Sequence, residues 1–574
     1  MPAARSASAG LFRLALLAAI CRGPECWIRA QDGGALLDAV RADDFEQASA
    51  LVRQGAGPNA RDEDGATALA WSVLRVNERM AAMLLDAGAD PNLTNEAGVG
   101  PLSLAISNGS AGLVRMLLDR GADPNLPRES GETPLMTAVR CGRLDMMKML
   151  LERGAEVNAS EKRFGQTALM WAAGSPEAVR LLVDRGADIT AVTRSWDVKY
   201  TIYLPTTVTL GKTGIPWNND GAYTTKKGGL NALFFAVQKN DVDSVRFLLD
   251  RGLDVNSRSA DGTTPLLASL YKWDPPASAF VPGRGAPATA GSSQRFNPNL
   301  AIASLLLDRK ARVEAADGAG YTPLHGAALA VAKAVRGGAR QKGAYGQTAA
   351  ALALGEAGEG GSVEEALAIV KRLLDLGADP NRQTVYPTGG PAGDVRINPA
   401  PPGSSAMHIA ASSGSVELVR LLAGRRGNPN LVRKDGHTPF SVAVLAGNVA
   451  VARELADAGA EVGGRWNPQD KIPDPVEAIT LARQNQSILH LAAIQGNPEM
   501  IEFLHSRGAP LDARNSMGET PLDLADKQER YREAIERQGA EGDPEKLARI
   551  VRRTAGTETL KRLLSRATAK AAGR

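Results

Sequence analysis

The sequence predicts an all-α solenoid in which short helix pairs stack side by side, with β-hairpin fingers at the joints and several loop insertions. Three observations carry that expectation. A glycine ahead of a Thr-Pro-Leu-like triplet recurs at Gly65, Gly98, Gly131 and Gly165, spaced 33, 33 and 34 residues apart. A second marker, Gly-Ala-Asp-Pro-Asn or a near variant, recurs in the same phase at Gly88, Gly121, Gly154 and Gly186. A chain of 574 residues exceeds what one core serves, and a nearly fixed period selects a repeat array over separate domains.

Each position of the repeat has a residue type that explains it. Thr or Ser before Pro is a helix N-cap, because the hydroxyl accepts from an orphan backbone amide and Pro at the first helical position has no donor to lose. That start is complete at Thr133-Pro-Leu135, Thr264-Pro-Leu266, Thr322-Pro-Leu-His325, Thr438-Pro-Phe440 and Thr520-Pro-Leu522. It is degraded at Thr67, Thr167, Asn231, Ser405 and Ser487, and Gly100-Pro-Leu102 lacks the threonine. Alanine pairs such as Ala172-Ala173 and Ala410-Ala411 keep the inner helix thin so that a neighbour approaches closely. Leucine pairs such as Leu84-Leu85 and Leu117-Leu118 lie on the outer helix and fill the gap between units. The following glycine, as at Gly121, ends the outer helix in the left-handed conformation, and the chain leaves as a hairpin.

These residues resemble the ankyrin repeat, with its 33-residue unit and Thr-Pro-Leu-His-x-Ala start. The resemblance covers most of residues 35 to 535, in eleven starts and a half-matching unit from Ala35 to Asn59 that would cap the array. It implies an ankyrin-repeat solenoid acting as a non-enzymatic protein-protein interaction scaffold, with the partner on the concave face of fingers and inner helices. His325, His408 and His490 occupy the motif's histidine position, which implies imidazoles bridging backbone groups within a repeat.

The expected organisation begins with a signal peptide over 1–30. Arg5 and Arg13 precede the apolar run from Leu14 to Ile20, which is shorter than the roughly 20 residues of a membrane span. Repeats follow over 31–190 (an N-terminal cap plus four), then an insertion at 191–227. Within it Tyr200 to Leu204 and Thr206 to Leu210, around Pro205, read as a small hairpin. Repeats resume over 228–381 with insertions at 274–298 and 336–361. After an insertion at 382–402 come repeats over 403–462, an insertion at 463–484, repeats over 485–535, and a helical cap with a basic tail over 536–574. The expected location is secreted or periplasmic, the alternative being a membrane tether through an uncleaved N-terminus or a lipidated Cys21.

The chemistry-bearing residues point away from catalysis. Net charge is +4, which implies no field for nucleic acid. Three cysteines and five histidines supply no zinc set at a recognised spacing, so no metal and no cofactor is expected. Gly211-Lys-Thr213 lacks the earlier glycine of a phosphate loop. Asp86, Asp119, Asp184 and Asp250 recur once per repeat and read as structural, while Trp71 and Trp171 read as packing within or beside the stack. By repeat phase Glu132, Arg140, Cys141, Lys272, Tyr321 and Gln495 should face the concavity. Trp196, Tyr200, Tyr203, Trp217, Trp273 and Trp466 lie in or beside insertions as aromatic anchors. The expected partner is a protein, bound by a monomer without a stable membrane span. The alternative is an enzyme or effector module carried on the insertions.

Overall fold

Helix pairs occur at the anticipated period, and their boundaries follow from caps and glycines. In a computed structural model the described residues are 24–201, 222–271, 298–340, 362–385, 403–433, 436–466, 485–527, 556–567 and 569. Their contacts divide the chain into two units, Met1–Arg194 with Leu230–Leu253, and Ser195–Gly229 with Asp254–Arg574.

The first unit opens with α1 (Pro24–Arg41) and α2 (Phe45–Arg53). The pairs α3 (Ala68–Leu74) and α4 (Glu78–Asp86), α5 (Pro101–Asn108) and α6 (Ala111–Asp119), α7 (Pro134–Arg140) and α8 (Leu144–Glu152), and α9 (Ala168–Trp171) and α10 (Pro176–Asp184) follow. A last pair is α11 (Ala232–Gln238) and α12 (Val242–Asp250). Thr67 and Thr133 cap their inner helices by accepting the N–H of Ala70 and Met136 at 3.2 and 3.3 Å. Thr167 departs from the expectation: it makes no such bond, and α9 is a single turn. The outer helices carry caps of their own, Asn77 accepting from Met80 N–H and Ser110 from Leu113 N–H. Leu84, Leu117, Leu150 and Leu182 are fully buried between successive pairs, each stabilising the stack by ~1.5–3 kcal/mol.

Two ladders join neighbouring repeats. The asparagine of each Gly-Ala-Asp-Pro-Asn marker grips the next repeat with both ends of its amide. Asn59 donates to Gly88 O and accepts from Asp90 N–H, Asn92 does the same at Gly121 and Asp123, and Asn125 at Gly154 and Glu156. The recurrent aspartates pair with the arginine ending the next outer helix, Asp86 with Arg120 at 2.6 Å and Asp119 with Arg153. The insertion at 191–227 leaves this stacking unbroken, since α9 and α10 pack on α11 and α12 and Arg251 reaches Asp184 at 2.7 Å.

The second unit begins with an antiparallel hairpin, β1 (Trp196–Thr201) and β2 (Ala222–Lys227), in the register Trp196 to Lys227 and Thr201 to Ala222. The hairpin expected around Pro205, from Tyr200 to Leu204 and Thr206 to Leu210, lies for the most part outside the described residues. The run Ala222-Tyr-Thr-Thr-Lys-Lys227 has the β-branched and aromatic content of a strand, but its lysines masked it in the sequence. Helices α13 (Pro265–Leu270) and α14 (Leu300–Asp308) pack together from the two ends of the 272–297 stretch. Then come α15 (Pro323–Arg340) and α16 (Val363–Asp375), α17 (Ala406–Ser413) and α18 (Val416–Ala423), and α19 (Pro439–Leu445) and α20 (Val449–Asp457). The two-residue ladder of β3 (Arg465–Trp466) and β4 (Gln486–Ser487) precedes α21 (Ile488–Gln495) and α22 (Pro498–Ser506). Helix α15 runs to Arg340, past residue 336 where the sequence placed the start of an insertion.

The three motif histidines do more than bridge within a repeat. In each, Nδ1 accepts a backbone N–H of its own N-cap residue, that of Thr322, Ser405 or Ser487, at 3.1–3.2 Å. That leaves the proton on Nε2, which donates to a carbonyl of the following repeat: Ser404, His437 and Glu519 respectively. At the C-terminal end, helical residues 556–567 close over α21 and α22. Leu560 is fully buried, and Gly556 approaches Gly496 so closely that a Cβ there would lie 2.6 Å from its Cα. Two basic side chains of this helix are engaged, Lys561 with Asp526 at 3.1 Å and Arg562 with Glu502. No helix among the described residues is long and apolar enough to cross a membrane.

Candidate protein-binding face

Inner helices α3, α5, α7 and α9 lie in contact in sequence order, so residues at the same repeat position form a row. One such row is Trp71, Leu104, Thr137 and Trp171, in which Thr137 is buried and the two tryptophans and Leu104 are half-buried. Both indoles are pinned from within their own repeat. Trp71 Nε1 donates to Asp62 Oδ2 at 2.8 Å, and Trp171 Nε1 donates to Gln166 Oε1 at 2.6 Å. The expectation that these tryptophans pack beside the stack therefore holds, with part of each ring facing outward.

At the first finger Asp62 is the organising group. Its Oδ1 accepts the N–H of Asp64 and Ala66, which fixes the turn, while Oδ2 accepts from Trp71 and from Arg41 at 2.6 Å. The Arg41 guanidinium sits 4.9 Å from the Trp71 ring centroid, a cation–π arrangement. Burial pushes the Asp62 carboxyl up, but the Trp71, Ala66 and Arg41 bonds together hold it below the usual range. Neither Arg41 nor Asp62 stood out in the sequence. The pairing needs residues 21 positions apart, and only the stack brings them together.

The third finger has an equivalent built differently. Glu132 accepts from Thr137 Oγ1 at 2.8 Å and from Arg140 Nε at 3.0 Å, with Arg128 a further 3.8 Å away. Glu132 was expected to face a partner but is buried, because it satisfies Thr137 beneath the guanidinium. Arg140 is the exposed member, and Cys141 beside it is half-buried. In the fourth finger Glu161 accepts three backbone amides, those of Arg163, Phe164 and Gln166, and it too is buried.

The other anticipated contacts fall in the second unit. Trp196 is half-buried at the start of β1, opposite Lys227, and Tyr200 lies opposite Tyr223. Tyr321 was expected to be exposed and is buried instead. Its ring stacks on Tyr271 at 5.1 Å and meets His325 edge-on, so it serves packing. Gln495 is half-buried at the end of α21, and Trp466 pairs with Gln486 in the short ladder. Tyr203, Trp217, Lys272 and Trp273 lie outside the described residues.

A polar cluster that the sequence did not flag anchors the hairpin. Lys227 Nζ meets Asp261 Oδ2 at 3.0 Å, with both side chains nearly buried, and Ser259 Oγ donates to Asp261 Oδ1. Burial pushes Asp261 up, and the Lys227 charge brings it below the usual range. Asp317 stands in the next finger and accepts the Ala319 and Tyr321 amides. Burial pushes it up to about 6, and the Asp261 charge adds to this. Among the described residues no group of three His, Cys, Asp or Glu side chains is arranged to hold a metal ion.

Models described as ankyrin repeats match residues 36–128, 102–193, 233–275, 362–465 and 474–525, together more than half of the chain. Among known proteins it is similar to cyclin-dependent kinase inhibitor 2A of Monodelphis domestica, 36% identical over 119 residues, which are 21% of this chain and 60% of that protein. Cyclin-dependent kinase 4 inhibitor B of Rattus norvegicus is 34% identical over 122 residues, 21% of this chain and 82% of the relative. The ankyrin repeat and KH domain-containing protein mask of Drosophila melanogaster is 31% identical over 119 residues, 21% of this chain but 3% of that protein. The chain thus spans less than two thirds of the length of several relatives, and each match covers about a fifth of it.

Proposed function

The chain belongs to the ankyrin-repeat family, and from that premise we propose that it is a non-enzymatic scaffold binding a protein partner through its fingers and inner helices. The observation that supports this most is the row that Trp71, Leu104 and Trp171 form along four successive inner helices, with the buried Thr137 at the third. Rings already fixed by hydrogen bonds to their own repeats lose little freedom on association, which favours them as anchors. The perturbed titratable groups support the same reading, since His325, His490, Asp62 and Asp261 are all occupied in holding turns or joining repeats.

A photo-crosslinking residue at position 104 on the inner helix, compared with position 115 on the exposed outer face, tests the proposal. Protein adducts from 104 and none from 115 are expected. Adducts from 115 alone, or from neither position in cells that express the protein, would remove it.

The proposed setting is outside the cytoplasm, secreted or periplasmic, with the protein acting as a monomer. Its support is the basic-then-apolar pattern from Arg5 to Ile20. Export of a chain lacking residues 1 to 30 would contradict it.

A further inference from the structure

We propose that the inner-helix face of α3 to α9 takes an extended partner segment that places carboxylates opposite Arg41 and Arg140 and apolar side chains on Trp71, Leu104 and Trp171. This rests on the protein-binding reading above and adds the chemistry of the partner.

In each of two ion pairs it is the guanidinium, not the carboxylate, that reaches solvent. The Arg41 side chain is 38% exposed while Asp62 is 4% exposed, and Arg140 is 34% exposed while Glu132 is 5% exposed. In both fingers the carboxylate is recessed and the guanidinium lies over it. The group nearest solvent over each recessed acid is therefore a guanidinium, that of Arg41 flanked at 3.8 Å by the exposed Asp38 carboxylate, although each pair is neutral in total. Each recessed acid is already bound on several sides, Asp62 by two amides and an indole, and Glu132 by Thr137. A second carboxylate approaching from outside meets the free edge of a guanidinium whose fork has donors to spare. Arg128, 21% exposed and also directed at Glu132, adds positive charge beside Arg140.

The apolar contribution lies in the same row. Trp71 and Trp171 stand three repeats apart with Leu104 between them, and Arg41 and Arg140 are also three repeats apart. Helices packed at roughly 8–10 Å put about 24–30 Å between the members of each pair. An extended chain rising ~3.3 Å per residue covers that with about eight or nine residues. A carboxylate beside an apolar residue, repeated after that interval with a further apolar residue about a third of the way along, matches the row. A uniformly acidic chain does not, because the finger tips carry the exposed carboxylates Glu63, Asp64, Glu96 and Glu129.

The test uses the full chain and two fluorescein-labelled decapeptides. One has glutamate-phenylalanine at each end and leucine three residues after the first phenylalanine, and the other has lysine in place of each glutamate. The glutamate form should bind at least tenfold tighter, and its affinity should fall as salt is raised. Arg41→Gln with Arg140→Gln should abolish the preference, while Arg41→Lys with Arg140→Lys should keep most of it. Thermal unfolding of each variant establishes that it is folded. Equal affinity for the two peptides, no binding of either, or a preference that survives the Gln pair would overturn the proposal. Adducts at position 104 with no glutamate preference would remove this inference and leave the protein-binding reading standing.

Discussion

Asn92 holds Asp123 from the neighbouring repeat: its Oδ1 accepts the Asp123 N–H at 2.7 Å while its Nδ2 donates to Gly121 O at 3.0 Å. One side chain thus satisfies two backbone groups at the end of the next outer helix, and the motif repeats this at Asn59, Asn125, Asn158 and Asn430. Because each repeat cannot shield its apolar face alone, such joints set how cooperatively the array unfolds.

Asn92→Ala should cost about 1 kcal/mol, the net worth of hydrogen bonds at a partly exposed site. Urea denaturation should show a lower midpoint, and a shallower transition if the joint couples the flanking repeats. Asn92→Asp keeps the acceptor for the Asp123 N–H but sets a carboxylate oxygen against Gly121 O, and should lose at least as much.

Two glycines separate backbone conformation from crowding. Gly121 has φ +87° with open space where a Cβ would stand, whereas Gly98 has φ +71° and a Cβ would lie 2.6 Å from Glu129 N. Gly121→Ala should cost about 1 kcal/mol through the left-handed backbone alone. Gly98→Ala should cost more, because it also pushes apart two fingers, and thermal melting of the pair measures the difference.

Asp317 and His325 carry opposite pH signatures. Burial pushes Asp317 up to about 6, so the folded state binds more protons than the unfolded between about pH 4 and 6, and that stability is lost as pH rises through 6. Burial pushes His325 down to about 4, so the unfolded state binds more protons from there up to about 6.5, and stability is lost as pH falls through that window. Asp317→Asn keeps the acceptor for the Ala319 and Tyr321 amides. It should gain about 1 kcal/mol at pH 7, gain nothing at pH 4, and lose stability with acid more steeply than the native chain. His325→Gln should flatten the acid loss, and denaturation midpoints between pH 4 and 8 would show both trends.

Lys227→Met should free the base of the β1–β2 hairpin. It leaves Asp261 nearly buried without its cation and close to Asp317, a loss of about 2–4 kcal/mol. Hydrogen exchange of residues 226–230 and 259–263 should accelerate at neutral pH, and acid should restore protection by neutralising the carboxylates.

The repeat was legible because it is written in local signals. Thr67, Thr133 and Thr264 cap where the sequence placed caps, and Gly88, Gly121 and Gly154 end helices with positive φ. What was not legible depends on neighbours in space. Tyr321 reads as a surface residue by repeat phase, yet Tyr271 covers it, and nothing at position 321 alone reports that. The same holds for Glu132 under Arg140, Arg41 over Trp71, and Lys227 against Asp261 34 residues later. The hairpin partner was missed because the strand from Ala222 ends in two lysines, one of which turns inward to an aspartate.

Hydrogen exchange of the full chain with and without its bound protein partner tests the central claim most directly. Protection should concentrate in residues 61–75, 94–108, 127–141 and 160–174, the fingers and inner helices, and leave the outer helix Leu144–Glu152 unchanged. Protection confined to outer helices, or to residues 202–221 alone, would contradict the account.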